Sequence, residues 1–270
     1  MSIRFATTVL ACSLLMGCGD GPGLDPPRPT DDVEWVVRIN FSGQHLCTGL
    51  VLSEHWLLTA GHCVQEAPDE QVEVSHEVFG ERRVVYEGGA WLITHPSYED
   101  VGHLSHRWHD IGLVGLRDGT LDPSERARLG GLRCSLTAFS DEVHLLYAVG
   151  YGRLPDPDTG ACSDRLGAKK RYDGFIVRGL LGPPLESSYA IELEGRVGAL
   201  CDGDSGGPLL FDVNGIPHAF ATFSGERLRE GIYYGTLIGP KINWLESATA
   251  STHAPLRCLD LGADAWECYE

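Results

Sequence analysis

Short apolar segments, separated by turns rich in glycine and proline, recur along most of the chain. Residues 35–41 alternate between apolar and polar positions, which is typical of a half-buried strand. Similar segments predict a first series of strands at 49–52, 56–59, 72–74, 82–86, 91–94 and 111–116. After a turn-rich connection, they predict a second series at 143–150, 175–180, 189–193, 208–211, 219–223 and 232–238. Many short strands joined by turns favour an all-β barrel or sandwich.

One good helical stretch is predicted near the end of the chain, at 240–248. Its apolar face consists of Ile242, Trp244 and Leu245. The chain has 270 residues, of which 43% are hydrophobic and 22% charged. This is enough material for one large or two small globular domains.

The charge balance excludes one class of partner. The chain has 38 Asp and Glu against 21 Lys and Arg, and its formal net charge is −17. Binding to phosphate backbones needs clustered positive charge, so we expect no nucleic-acid partner. A net charge of this size favours the solubility of an exported protein.

Residues 1–18 predict an export signal. Arg4 gives the start a positive charge, and 5–16 form an apolar run that is too short to span a bilayer of about 30 Å. The run ends in Leu15-Met16-Gly17-Cys18, which resembles the bacterial lipobox. We therefore expect lipidation at Cys18 and attachment to a bacterial cell envelope. The alternative is an ordinary cleaved signal and a secreted protein.

Two segments flank a predicted domain at 33–250. Residues 19–32 are rich in proline and glycine, so we expect a stiff linker without regular structure. Residues 251–270 form a C-terminal tail, in which Cys258 and Cys268 could pair and staple a small appendage.

The chain has nine cysteines, and Cys12 lies within the predicted signal. Beyond Cys18 an odd number remains: Cys47, Cys63, Cys134, Cys162, Cys201, Cys258 and Cys268. Export permits disulfides, and an odd number leaves at least one cysteine without an intramolecular partner. An alternative role for one group of residues is a zinc site. This group consists of His45, Cys47, His62 and Cys63, although its spacing fits no common zinc pattern.

The segment Cys201-Asp-Gly-Asp-Ser-Gly-Gly-Pro208 is the strongest candidate for chemistry. A serine hydroxyl is a good nucleophile only when a base removes its proton. The carbonyl that it attacks develops negative charge, which needs fixed donors. Glycines on both sides of Ser205 let backbone amides turn toward one point. The amides of Gly203 and Ser205 are therefore the expected oxyanion hole.

A candidate base and a candidate orienting acid precede this segment. Leu57-Leu-Thr-Ala-Gly-His-Cys63 places His62 just after an apolar strand. Asp110 stands at the head of another, where a carboxylate without a partner would be costly. These residue types match a serine, histidine and aspartate triad, with Ser205 as the nucleophile.

Three segments together resemble the signature blocks of chymotrypsin/trypsin-like serine proteases: Thr59-Ala-Gly-His-Cys63, Asp110-Ile-Gly-Leu113 and Gly203-Asp-Ser-Gly-Gly-Pro208. The resemblance covers about residues 33–248. It implies two packed six-stranded antiparallel β-barrels with a C-terminal helix. It also implies a serine endopeptidase that acts on peptides or proteins through an acyl-enzyme and without cofactor or metal. The sequence does not give the oligomeric state, for which a monomer is our expectation. Cys47 and Cys63 would form a disulfide beside the histidine.

The predicted specificity pocket departs from the family pattern. Relatives that cut after Arg or Lys carry an acid six residues before the serine, where this chain has Ala199 followed by Leu200. The matching pocket wall is 221–225, which ends at Gly225. We expect a preference for apolar or small side chains unless another segment supplies an acid. The usual partner of Cys201 is also absent, so Cys162 or another cysteine must serve.

Activation also departs from that pattern. Family zymogens expose a new Ile-Val-Gly-Gly terminus, whose amine pairs with the acid found here as Asp204. No such sequence precedes Trp35, and Arg28 is a poor cleavage site because Pro29 follows it. Local donors could hold Asp204 instead, which would leave the enzyme active without processing.

The sequence leaves open two alternatives to a serine endopeptidase. One is an inactive protease fold that binds peptides, although a complete triad argues against it. The other is an esterase, because Gly203-Asp-Ser-Gly-Gly207 also fits the Gly-x-Ser-x-Gly elbow of α/β-hydrolases. That fold would need a base after the serine, from His218 or His253, and an alternation of strands and helices that the chain does not show.

Overall fold

The structure is a computed structural model of the 270-residue chain. It describes residues 28–30, 33–43, 45–78, 80–100, 107–122, 126–130, 146–156, 159, 161–181, 190–195, 200–227, 230–262 and 265–270. The predicted export signal with Cys18, most of the predicted linker, Cys134 and Ala199 lie outside these residues.

Six strands in the first half close into an antiparallel barrel, in the order β2-β3-β4-β9-β6-β5. The strands of this half are β1 (Arg28–Pro29), β2 (Val36–Phe41), β3 (His45–Val51), β4 (Trp56–Thr59), β5 (Gln71–Val78), β6 (Glu81–Thr94), β7 (Glu99–Asp100), β8 (Arg107–Trp108) and β9 (Gly112–Leu116). A short helix, α1 (Gly61–Gln65), follows β4.

Six strands in the second half close into another antiparallel ring, in the order β16-β11-β14-β15-β18-β17, with β17 pairing back to β16. The strands of this half are β10 (Arg128–Gly130), β11 (Leu146–Gly150), β12 (Arg153–Pro155), β13 (Cys162–Leu166), β14 (Lys170–Leu181), β15 (Ala190–Glu194), β16 (Pro208–Val213), β17 (Ile216–Arg227), β18 (Ile232–Leu237), β19 (Arg257–Gly262) and β20 (Ala265–Tyr269). After a 3-10 turn, Gly239–Lys241, comes helix α2 (Ile242–Thr249). The prediction of two six-stranded barrels with a C-terminal helix is confirmed.

Strands β4 and β9 are buried along their whole length because the barrel core covers one face and neighbouring elements cover the other. Close packing at this place depends on glycine. A Cβ atom added at Gly115 would lie 2.5 Å from the ring of Trp56. The apolar core continues from the first barrel to Leu245 of α2 and to Val149 of β11. Burial of each such aliphatic side chain contributes about 1.5–3 kcal/mol, so the two barrels and the helix stabilise one another.

Two predictions from the sequence are wrong in this region. The segments 82–86 and 91–94 belong to one continuous strand, β6. Gly88 makes room for the side chain of Tyr86, whose hydroxyl donates to the carbonyl of Gly89 over 2.5 Å, and the chain stays extended here. At the end of the predicted linker, β1 pairs with β14, although no regular structure was expected there. A proline is tolerated in β1 because this strand lies at the edge of the sheet.

The C-terminal tail folds as a hairpin of β19 and β20, joined by the disulfide Cys258–Cys268. Strand β20 pairs with β10, so the hairpin extends the sheet of the second barrel. The carboxylate of Glu270 accepts hydrogen bonds from Ser53 Oγ over 2.6 Å and from the His55 backbone amide over 2.8 Å. The tail is therefore fastened to both halves of the molecule.

Candidate active site

Two hydrogen bonds join His62 to Asp110. His62 lies at the start of α1, directly after β4, and Asp110 lies between β8 and β9. His62 Nδ1 lies 2.8 Å from Asp110 Oδ2, and the His62 backbone amide donates to Asp110 Oδ1 over 2.7 Å. Because an ionised carboxylate only accepts hydrogen bonds, Nδ1 carries the proton. The other ring nitrogen, Nε2, is then left for proton transfer.

A side chain of the second barrel also contacts Asp110. The hydroxyl of Ser224, in β17, donates to Asp110 Oδ2 over 2.5 Å. Asp110 is fully buried, and these donors offset the cost of burying its carboxylate. The sequence alone indicates no such role for Ser224, although this residue lies in the predicted pocket wall, 221–225.

The residue before Asp110 has an unusual backbone conformation. His109 has φ of +52°, and Lys241 Nζ lies 2.5 Å from its Nδ1 atom. Its ring stacks on His95 at a centroid distance of 4.7 Å. Burial, and then the Lys241 cation, lowers the pKa of both histidines to about 4. Both rings are therefore neutral at pH 7, and His109 accepts a hydrogen bond from Lys241 in the turn that presents Asp110 to His62.

Ser205 lies in the loop before β16, which is fixed against the first barrel. Gly203 and Gly206 have φ of +94° and +80°, a region that L side chains rarely adopt. A Cβ atom at Gly206 would lie 2.1 Å from Thr59 Oγ1. The Ser205 carbonyl accepts a hydrogen bond from the Thr48 amide over 2.9 Å. No described residue accepts a hydrogen bond from the amides of Gly203 or Ser205, so both donors are available to a bound group.

His62, Gly203 and Ser205 line one cavity of about 540 Å³. Its walls also include Arg38 of β2 and Leu46 of β3. A volume in this range is typical of sites that bind small molecules or substrate side chains. The structure thus brings the predicted base, the predicted nucleophile and one predicted oxyanion donor to the same cleft.

Cys47 and Cys63 form a disulfide beside His62. Their sulfur atoms and a ring nitrogen of His62 lie within 4.8 Å of one another, which is the group behind the zinc alternative. Zinc binds cysteine as the thiolate, and sulfur atoms in a disulfide are not thiolates. The side chain of His45 lies outside the described part of the structure.

The Asp204 carboxylate is buried and held by groups of the second barrel. Its Oδ1 accepts a hydrogen bond from the Gly152 amide over 2.7 Å. Its Oδ2 accepts from the Cys201 amide over 2.9 Å and from the Tyr172 hydroxyl over 3.1 Å. Burial raises the pKa of Asp204, while the Lys170 cation and these donors oppose that shift. Lys170 is itself buried and donates from Nζ to the Gly152 carbonyl.

The predicted specificity pocket is described only in part. Leu200 is buried next to the Ser205 loop, and Gly225 lies half-buried in β17. Ala199 lies outside the described residues, so the preference expected from it stays a prediction. Cys201 forms a disulfide with Cys162, which is the one candidate partner named from the sequence.

Two antiparallel barrels, with a histidine–aspartate pair and a serine at one cleft, are the arrangement that the resemblance to serine proteases implies. The chain belongs to the trypsin family, because the model of that family, described as "Trypsin", matches residues 25–235.

Individual relatives agree with this assignment. The chain is 26% identical to human serine protease 56 over 249 residues, covering 84% of this chain and 38% of that protein. It is 26% identical to human granzyme M over 232 residues, covering 80% of this chain and 84% of that protein. The structure of mouse neuropsin, a serine protease, shares the fold with a TM-score of 0.59 at 20% identity, covering 83% of this chain and 98% of that one. This chain thus spans well under half the length of serine protease 56.

Proposed function

We propose that the protein is a serine endopeptidase in which Ser205 is the nucleophile, His62 the general base and Asp110 the orienting acid. The observation that carries this proposal is the paired hydrogen bonding of His62 to Asp110 at a cleft that Ser205 also lines. A neutral imidazole held at Nδ1 by a buried carboxylate has the tautomer needed to accept a proton at Nε2.

In the first half of the reaction, Ser205 Oγ attacks the peptide carbonyl as His62 Nε2 takes the hydroxyl proton. The negative charge on the former carbonyl oxygen is stabilised by the amides of Gly203 and Ser205. When the carbon–nitrogen bond breaks, His62 gives its proton to the departing amine and an acyl-enzyme remains. Water, activated by His62, then attacks the ester and releases the acid.

Asp110 stabilises the imidazolium that forms in both halves of the reaction. It accepts hydrogen bonds from the ring and the amide of His62 and from Ser224, so it is fixed on both sides. A preorganised charge costs little reorganisation during the reaction. An inactive binding module has no need of this arrangement, which therefore supports the enzymatic proposal.

A fluorophosphonate probe tests the proposal directly. We expect the protein to react with the probe at one residue, Ser205, because an activated serine attacks phosphorus as it attacks a carbonyl. Mass spectrometry of the labelled peptide identifies the site. The matched control is Ser163→Ala, which removes another partly buried serine and should leave labelling intact, whereas Ser205→Ala should abolish it. An unlabelled, folded wild-type protein would contradict the proposal.

We also propose export, with a lipid anchor at Cys18. The apolar leader and the resemblance to a lipobox support the anchor. The three disulfides among the described residues support export, because disulfides form in oxidising compartments. In the described part of the chain, no helix has both the length and the apolar character needed to cross a membrane. Expressed in a bacterium, the wild type should partition into the detergent phase and Cys18→Ala into the aqueous phase. Aqueous partitioning of both would exclude the anchor.

A further inference from the structure

Glu226 lies in β17, close to the loop that carries Ser205. This strand is hydrogen-bonded to the loop, because the Gly206 amide donates to the carbonyl of Phe223 over 2.8 Å. Glu226 comes three residues later, directly after the predicted pocket residue Gly225. The charges of Asp202 and Asp204 act on its carboxyl, which places that carboxyl beside the loop that carries Ser205.

One oxygen of the Glu226 carboxyl, Oε2, is an acceptor without a partner among the described residues. This atom is buried. Burial, and then the charges of Asp204 and Asp202, raises the pKa of Glu226 to about 9. Buried polar atoms are nearly always paired in native structures, so this one needs an explanation. A group that arrives with the substrate would supply the missing donor.

The surrounding charges decide which group fits. Asp202 and Asp204 both act on Glu226 with negative charge. The cation of Lys170 is engaged with backbone carbonyls of Gly152 and Arg153. An acidic side chain would be repelled here, and an apolar one would leave the carboxyl unpaired. A cationic side chain would ionise Glu226 and provide donors to it.

We infer that Glu226 is a specificity-determining residue, which binds the lysine or arginine side chain of the substrate residue whose carbonyl is attacked. This inference rests on the proposed endopeptidase function. It differs from the preference expected from Ala199, because β17 supplies the acid from another wall of the pocket. When the cation binds, the carboxyl loses its proton to water and the two charges pair.

The test compares two peptide amides that differ only in lysine or norleucine before the scissile bond. The full-length protein should cleave the lysine peptide with kcat/KM about 100-fold higher, the size expected for a desolvated charge pair. In Glu226→Gln, this ratio should fall about 100-fold while cleavage of the norleucine peptide stays within about threefold. The control Glu230→Gln changes the net charge equally but lies in an exposed ion pair with Arg227, and it should keep the wild-type ratio.

The pH profile gives a readout that a structural role would not produce. Below the pKa of Glu226, a proton must leave before the cation pairs with it. The ratio of kcat/KM for lysine over norleucine should therefore rise from pH 7 to pH 9, with a limit of about tenfold per pH unit. The same ratio should be flat in Glu226→Gln. If Glu226→Gln does not fold, the pH dependence of this ratio in the wild type still tests the inference.

The outcomes separate this inference from the proposed function. If the probe labels Ser205 but lysine and norleucine peptides are cleaved equally, the inference is overturned and the endopeptidase stands. A lysine preference that is unchanged in Glu226→Gln also overturns it. Failure of Ser205 to react with the probe rejects the endopeptidase proposal and, with it, the role of Glu226.

Discussion

Replacing His62 by alanine should lower kcat by a factor on the order of 10⁶, and Ser205→Ala should lower it equally. The double variant should lose no more than either single variant, because base and nucleophile act as one unit. KM should change little, since neither change removes the walls of the cleft. Steady-state kinetics on a fluorogenic peptide amide, at high enzyme concentration, measures these losses.

Two other histidines are the matched controls, because an α/β-hydrolase mechanism would need one of them. His218 Nδ1 lies 2.9 Å from the carbonyl of Ile216, and the His253 ring packs against Trp91 at a centroid distance of 4.6 Å. Neither lines the cavity that contains Ser205. His218→Ala and His253→Ala should therefore keep kcat within a few-fold. Loss of activity in either, with an active His62→Ala, would reverse the assignment of the base.

The sequence predicted the parts of the site that occur as local motifs. His62 and Ser205 sit in short blocks whose glycines and apolar neighbours are visible along the chain. Asp110 was identified because a carboxylate at the head of an apolar strand needs a partner. The structure brings His62 to Asp110 as the mechanism requires. The motifs were informative because the chemistry constrains residues next to each catalytic group.

Contacts between segments that are distant in sequence leave no local motif from which they could be predicted. Ser224 reaches Asp110 across 114 residues of sequence, and Lys241 reaches His109 across 132. Each side chain has an ordinary sequence environment, so only the packing of the two barrels reveals its partner. The same reason explains why β10 was not predicted, and why the sequence left open whether Cys162 or another cysteine pairs with Cys201.

Strand boundaries were predicted well where the local apolar pattern is strong, and poorly where pairing with distant strands decides them. Segments with strong apolar character, such as Trp56–Thr59, match the structure residue for residue. Strand β6 was predicted as two segments, 82–86 and 91–94, whereas continuous pairing with β5 and β9 keeps the residues between them extended. Turn signals are local, but the hydrogen bonds of a barrel are supplied by neighbours distant in sequence.

Replacing Lys170 by methionine should lower kcat by about 10²–10³, the loss typical of a damaged oxyanion hole. Lys170 Nζ donates to the carbonyl of Gly152, and the amide of Gly152 donates to Asp204 Oδ1 over 2.7 Å. Asp204 lies between the two expected oxyanion donors, Gly203 and Ser205. Without the nearby cation, burial favours neutral Asp204, and the loop loses the charge-assisted bonds that fix these amides.

The neighbouring Lys169→Met is the matched control, because Lys169 is also buried but donates to the carbonyl of Val33 instead. It should keep kcat, whereas Lys170→Met should lose activity and unfold at a lower urea concentration, because the buried Asp204 carboxylate loses its nearby cation. Adding Asp204→Asn to Lys170→Met removes the buried charge that has lost its nearby cation, and it should recover part of that stability, measured by urea denaturation.

This arrangement also predicts activity without cleavage near the N-terminus. The amides of Gly152 and Cys201 and the Tyr172 hydroxyl already donate to Asp204, and the Lys170 cation favours its charge. No newly formed terminal amine is therefore needed to order the loop. The chain with residues 28–30 intact, verified by mass spectrometry, should therefore react with the fluorophosphonate probe at its full rate. Activity that appears only after cleavage upstream of Trp35, and that Lys170→Met leaves unchanged, would show that a terminal amine performs this task instead.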